Sequence, residues 1–263
     1  MTTHNQFKRR LQQKVPQSGF WLSLSSSSVT EIAAYAGFDW ILVDMEHAPN
    51  DLSNISDHLR AAKGGTAEVL VRPPFSEPVM VKRLMDIGVR NLMFPMVQSA
   101  AEAELAVSWT RYPPHGVRGH SGTTRANGYG RETSYLDSYI DDLCIVVQVE
   151  TPEAVGRIGE IAAVDGVDAI FIGPGDLAAA MGHVGNVLAR DVQEAIAHAL
   201  GRIHDAGLAG GVLGFGEETA RRYFSAGFDF VAAGGDAWLV SRMTTDLAAA
   251  VRPTAAAAEP SEC

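Results

Sequence analysis

Two carboxylates in this chain, Glu150 and Asp176, each close a short apolar run, as Gln148-Val149-Glu150 and Gly173-Pro174-Gly175-Asp176. One or two carboxylates, with water and substrate completing the shell, are the usual protein share of an Mg²⁺-type site. The competing reading makes both residues helix N-caps, since Glu150 precedes Thr-Pro and Asp176 precedes Leu-Ala-Ala. A second group is Asp44-Met45-Glu46-His47. An imidazole held by a carboxylate is suited to moving protons near neutral pH; alone, such a histidine is more often bonded to a loop carbonyl. Arg72 follows the apolar run Val69–Val71 and precedes two prolines that fix the backbone. Its guanidinium could stabilise an oxyanion or clamp a carboxylate, and it could equally bridge to Asp44 or Glu150. Glycine clusters complete the set. The free amides of Gly175 and Asp176 open a helix, and Gly214-Phe215-Gly216 and Gly234-Gly235-Asp236 stand where many barrels bind phosphate.

What must position these groups is a strand–helix rhythm. β-rich runs fall at 19–24, 40–46, 68–72, 91–97, 144–150, 169–173, 209–213 and 229–233, mostly apolar throughout, as strands covered on both faces should be. Amphipathic segments at 30–36, 78–87, 100–109, 152–161, 192–204 and 217–225 lie between them, several punctuated by Pro at the start or Gly past the end. The pattern predicts an α/β protein, a single-domain (β/α)8 TIM barrel spanning 1–253, with a tail at 254–263. An open doubly wound sheet is the weaker alternative, because no G-x-G-x-x-G follows the first strand. In the barrel reading every residue named above sits at the C-terminal end of a strand, where such folds carry their chemistry. The connection 112–142, rich in Pro and Gly, is long enough to predict a functional loop or an interface.

The formal net charge of −10 argues against non-specific nucleic-acid binding. It also makes an arginine or a metal in the pocket more important to any anionic substrate. Two cysteines, Cys144 in an apolar run and Cys263 at the terminus, predict no disulfide framework and a reducing cytoplasm. The polar, basic residues 1–13 do not read as a secretory signal, and no apolar run is long enough for a membrane span.

With these residues placed, the chain resembles the HpcH/HpaI family of class II pyruvate aldolases. The similar stretches are 37–50 (Gly-Phe-Asp-Trp-Ile-Leu-Val-Asp-Met-Glu-His-Ala-Pro-Asn), Val71-Arg72-Pro73, Phe94-Pro95-Met96-Val97, Arg111-Tyr-Pro-Pro114 with Gly116-Val-Arg118-Gly119, Gln148-Val-Glu150-Thr151, and 171–177 (Phe-Ile-Gly-Pro-Gly-Asp-Leu). They run in the family's order over nearly the whole chain, and together they are highly specific. The resemblance implies a divalent metal (Mg²⁺, Mn²⁺ or Co²⁺) on Glu150 and Asp176, and Arg72 as the group that stabilises an enolate oxygen. It implies His47 as base with Asp44 and Glu46 beside it, Asp86 as an acid linked to the histidine network, and a hexamer, a trimer of dimers. Gln148 lies two residues before Glu150, so both point the same way from the strand. Gly175 replaces the Ala or Ser of some relatives and is expected to widen the donor pocket. Phe215 and Leu213 stand where acceptor selectivity is expected.

The chemistry so implied is reversible cleavage of a 4-hydroxy-2-oxo acid to pyruvate, or a hydroxypyruvate-like donor, plus an aldehyde, through an enolate held by the metal and Arg72, with oxaloacetate decarboxylation on the side. None of the lysines, Lys8, Lys14, Lys63 and Lys82, falls at a strand end, which disfavours a Schiff-base aldolase. Two rival readings are a malyl- or citramalyl-CoA type lyase, for which no basic nucleotide-binding patch is evident, and a non-catalytic barrel that binds a carboxylate or phosphate.

Overall fold

A computed structural model describes residues 5–252. In chain order the elements are α1 (Gln6–Gln12), β1 (Gln17–Leu22), α2 (Ser27–Tyr35), β2 (Trp40–Asp44), α3 (Leu52–Ala61), β3 (Glu68–Arg72), α4 (Pro78–Asp86), β4 (Asn91–Phe94), α5 (Ala100–Thr110), α6 (Tyr135–Ser138), β5 (Cys144–Val149), α7 (Pro152–Gly156), α8 (Ile158–Ala162), β6 (Ala169–Ile172), α9 (Pro174–Ala180), α10 (Arg190–Asp205), β7 (Ala209–Leu213), α11 (Glu217–Ser225), β8 (Phe230–Gly235) and α12 (Asp236–Ala250). The strands form one closed barrel in chain order, all parallel, with β8 returning to β1. This is the (β/α)8 architecture expected from the sequence.

Period-two alternation divides each strand between two cores. Along β2, Trp40 and Leu42 point into the barrel with Leu70, Met93, Val146, Phe171 and Phe230, while Ile41 and Val43 pack outward under the helices. Asp44 continues the inward series at the strand's C-terminal end. The inward face also explains Gly19, because a Cβ there would lie 2.0 Å from the Trp40 indole. The N-terminal mouth is stoppered by α1. Its Phe7 and Leu11 are buried in the inner core, with Phe7 edge-on to Phe230 at 5.6 Å. Side-chain chemistry is thereby left to the C-terminal mouth.

Several elements depart from the sequence reading. The predicted helix at 152–161 is two short helices, α7 and α8, that meet at Gly156-Arg157. Helix α3 was not foreseen: Ser and Asn are poor helix formers, but a reciprocal capping box between Asp51 and Asn54 secures its first turn. Helices α1 and α12 are likewise absent from the sequence reading; in α12 only Asp236 is buried, so the helix packs little against the core. The connection 112–142 folds against α4. Buried Arg118 bonds Asp86 at 2.8 Å and Tyr135 Oη at 3.2 Å and lies over the Tyr112 ring, while Arg125 donates to the Ile87 carbonyl. The tail predicted at 254–263 lies outside the described residues. Among those described, no helix is long and apolar enough to cross a membrane.

Candidate active site at the C-terminal mouth of the barrel

At the end of β3, Arg72 is buried, and each of its three nitrogens has a side-chain partner. Nε and one terminal nitrogen donate to the two oxygens of Asp44, at 2.8 and 2.7 Å. The other terminal nitrogen lies 2.8 Å from Glu46 Oε2 and 3.4 Å from Gln148 Oε1. The guanidinium also sits over the Trp21 ring, 4.8 Å from its centroid, and Trp21 Nε1 donates to Asp44 Oδ2 at 3.1 Å. Burial alone would raise the Asp44 carboxyl, but Arg72's hydrogen bonds and charge, helped by Trp21, outweigh it and hold Asp44 below the usual carboxylate range. Arg72 is therefore a fixed cation whose orientation Asp44 sets.

Across the mouth, the buried carboxylate of Glu150 accepts from the Met96 amide at 3.0 Å and from Gln148 Nε2 at 2.8 Å. Met96 achieves this with φ of 52°, a left-handed conformation that non-glycine residues seldom adopt. Glu150 and Gln148 occupy space that Gly173 leaves open: a Cβ on Gly173 would stand 2.3 Å from Glu150 Oε2 and 2.8 Å from Gln148 Nε2. Burial pushes the Glu150 carboxyl up to about 8, and the neighbouring carboxylates of Asp176 and Glu46 add to that push against the Met96 amide.

The helix-cap reading of the two carboxylates fails. Thr151, not Glu150, caps α7 by accepting from the Ala154 amide, and α9 is preceded by Gly173 with no side-chain cap. What gathers at the mouth is Asp44, Glu46, Glu150 and Asp176 around Arg72. Among the described residues their ion pairs are with Arg72 and, for Glu46, with His47. An excess of oxygen donors over positive charge, with the Glu150 and Glu46 carboxyls raised by burial and then by neighbouring carboxylates, fits a hard divalent cation held by Glu150 and Asp176. No group of three or more His, Cys, Asp or Glu among the described residues could hold a metal, so water and substrate would supply the remaining ligands.

Two expected arrangements need correction. Asp44 does not hold His47, because its oxygens serve Arg72, Trp21 and the Glu46 amide. The imidazole of His47 is 68% exposed and faces Glu46 at 3.8 Å. Asp86 does not join the histidine in this chain. It is the last residue of α4, which runs from the C-terminal rim back to the N-terminal rim, and its carboxylate is bonded by Arg118. The remaining predicted residues do meet at the mouth. Gln148 points with Glu150 as expected, Gly175 has open space where a side chain would project, and half-buried Leu213 and Phe215 pack at the top of the inner core, Phe215 against Trp238. Sequence reading missed Trp21, Met96 and the role of Gly173. Alternation on the first strand, which places Trp21 on the face of Gly19, would have found the tryptophan.

A closed parallel barrel that gathers its ionised side chains at the C-terminal mouth has the architecture of a barrel enzyme. This chain belongs to the HpcH/HpaI aldolase/citrate lyase family, whose model matches residues 17–242, and it is a carbon–carbon lyase. It is 46% identical to a 5-keto-4-deoxy-D-glucarate aldolase of Escherichia coli over 93% of this chain and 95% of that one. Similarity to a 4-hydroxy-2-oxo-heptane-1,7-dioate aldolase of Escherichia coli is 44% identity over 97% and 98% of the two chains. The crystal structure of an HpcH/HpaI aldolase/citrate lyase family protein from Burkholderia cenocepacia superposes with a TM-score of 0.91 at 39% identity, covering 95% of this chain and all, 100%, of that one.

Proposed function

We propose that the protein cleaves 4-hydroxy-2-oxo acids reversibly to pyruvate, or a hydroxypyruvate-like donor, and an aldehyde, with a divalent cation on Glu150 and Asp176. The observation that carries this reading is the position of Arg72, locked by Asp44 and facing the Glu150 carboxylate through Gln148. When bound, a cation such as Mg²⁺, Mn²⁺ or Co²⁺ supplies the positive charge that draws in a 2-oxo acid and polarises its keto group.

The chain's own groups do the rest. In cleavage, the C4 hydroxyl loses its proton as its C–O becomes the aldehyde carbonyl. The C3–C4 bond breaks, and its electron pair passes into the enolate of the 2-oxo acid. Arg72 is already oriented, so it meets the growing charge on the enolate oxygen without reorganising. His47 stands exposed at the apex of the turn after β2, within reach of solvent and of Glu46, and takes the hydroxyl proton directly or through a water. Gln148 keeps Glu150 and Arg72 in register. Leu213 and Phe215 bound the acceptor side, with Gly175 leaving the donor side open. All four lysines lie away from the mouth's strand ends, in keeping with an enolate rather than a Schiff base.

The same reading includes oxaloacetate decarboxylation, a cytoplasmic location and a homo-oligomer, a hexamer. Helix α12 exposes Val240, Met243, Leu247 and the following Val251 at helical spacing, an apolar stripe suited to a second copy. A pyruvate-release assay over a panel of 4-hydroxy-2-oxo acids, with each metal added in turn, tests the activity. Turnover of at least one such acid is expected; no release from any member would overturn the reading.

A further inference from the structure

A chain of buried polar side chains runs from α2 through α3 to the back of the catalytic turn, and no step above uses it. Thr30 Oγ1 lies 2.5 Å from His58 Nδ1, and His58 Nε2 lies 3.1 Å from Asn50 Oδ1. Asn50 Nδ2 donates to the Asp44 carbonyl at 2.6 Å. Thr30, His58 and Asn50 are all buried.

The directions of these bonds follow from the backbone at both ends. The Asp51 amide can only donate, so the Asn54 atom it meets is Oδ1, and Asn54 Nδ2 must donate to Asn50 Oδ1 at 3.0 Å. The Asp44 carbonyl can only accept, so the Asn50 atom it meets is Nδ2. Both ends agree that Asn50 presents Oδ1 to His58. The facing His58 nitrogen is therefore a donor; Thr30 Oγ1 lies within reach of both His58 Nδ1 and the Ser26 carbonyl, at 2.5 and 3.2 Å, and a neutral ring takes the shorter of these hydrogen bonds on its Nδ1 lone pair.

We propose that Asn50 and His58 are positioning residues for the site, with neutral His58, in its Nε2–H form, holding the Asn50 amide so that it pins the turn 44–50 from behind. That turn is then fixed on both sides. Asp44 Oδ1 accepts the Glu46 amide at 3.0 Å from within, and Asn50 holds the Asp44 carbonyl from without. Among the described residues, His47 at the apex makes the long contact to Glu46, so the turn itself sets where its imidazole stands. Burial lowers the His58 pKa, against the opposing charges of Asp236 and Asp57, in keeping with a neutral ring.

The test has two arms. ¹H–¹⁵N spectra of the labelled wild-type protein at neutral pH read the tautomer directly. A neutral Nε2–H histidine whose signal is lost or moved in Asn50→Ala is expected. An Nδ1–H tautomer or an imidazolium at His58 overturns the proposal. The kinetic arm rests on the aldolase reading. In folded Asn50→Ala and His58→Leu, kcat for cleavage should fall about 10–100-fold, the scale of a small misplacement of catalytic groups, with KM little changed. His58→Gln returns an amide donor toward Asn50 and should recover most of the loss. Wild-type kcat in both folded variants, or no recovery in His58→Gln, overturns the positioning role. A wild-type protein without turnover would defeat the aldolase reading alone, and the spectra would still decide the network.

Discussion

Asp44 grips Arg72 with both oxygens, at 2.8 and 2.7 Å, in a buried two-pronged pair. The fork makes Arg72 a directional donor rather than a point of charge, and a lysine cannot copy it. Arg72→Lys is expected to fold and to lose about 10²–10³ in kcat/KM, the usual scale for one lost oxyanion donor. Asp44→Asn, which leaves the guanidinium free to turn, should fall in the same direction. Steady-state pyruvate release checks both, and near-wild-type turnover in Arg72→Lys would count against enolate stabilisation by this residue.

Glu150 sets a pH dependence whose sign is definite. Its carboxyl is raised to about 8, so in the metal-free fold it stays protonated where the unfolded chain has already ionised. Between the ordinary carboxylate range and about pH 8 the folded state binds more protons, and the contribution of this group to stability falls as pH rises through that window. A cation at Glu150 reverses the preference by favouring the ionised form, so metal binding should tighten with rising pH up to about 8 and release protons below it. Calorimetry of metal binding in buffers of different ionisation enthalpy measures this release. Glu150→Gln should abolish it and flatten the pH dependence of the metal-free melting temperature.

Gly173 owes its identity to the space it leaves. A methyl group there would overlap Glu150 Oε2 and crowd Gln148 Nε2. Gly173→Ala should cost about 1–3 kcal/mol by overpacking, and the displaced carboxylate should lose about 10–100-fold in metal affinity. A thermal melt and a metal titration of the same preparation separate the two effects. Unchanged affinity in the folded variant would show that Glu150 does not need this cradle.

For His47, the comparison of two reactions is more informative than either alone. Both give the same pyruvate enolate, but oxaloacetate loses CO₂ without giving up a hydroxyl proton. His47→Ala should slow aldol cleavage by about 10²–10⁴, the range of general acid–base help, while retaining relatively more decarboxylation. Equal losses in both, with fold and metal content intact, would make His47 a support for the whole site.

Much of this site is legible in the sequence because barrels put chemistry at strand ends, and strand ends are visible where an apolar run meets a charge. Arg72, Glu150 and Asp176 announce themselves in this way, and Gln148 follows from Glu150 by alternation along the strand. Trp21 does not, because an aromatic at the end of an apolar strand looks like core until its Nε1–H is found on Asp44. Met96 acts through its backbone amide, which no side-chain pattern reports. Pairings are harder still. Sequence adjacency suggests Asp44 with His47, but β2 and β3 run in register so that Asp44 stands beside Arg72, and the stronger pair takes the carboxylate. Asp86 fails as a site residue of its own chain for a topological reason, since a helix that follows a strand carries its last residue to the opposite rim.

On the function proposed above, Glu150 and Asp176 hold a divalent cation that the carbon–carbon cleavage needs. Pyruvate release from a 4-hydroxy-2-oxo acid, by protein stripped with excess chelator and verified to be metal-free, tests it most directly. No cleavage is expected in the stripped protein, with recovery when Mg²⁺, Mn²⁺ or Co²⁺ is returned and no recovery in Glu150→Gln. Full activity without metal would contradict it.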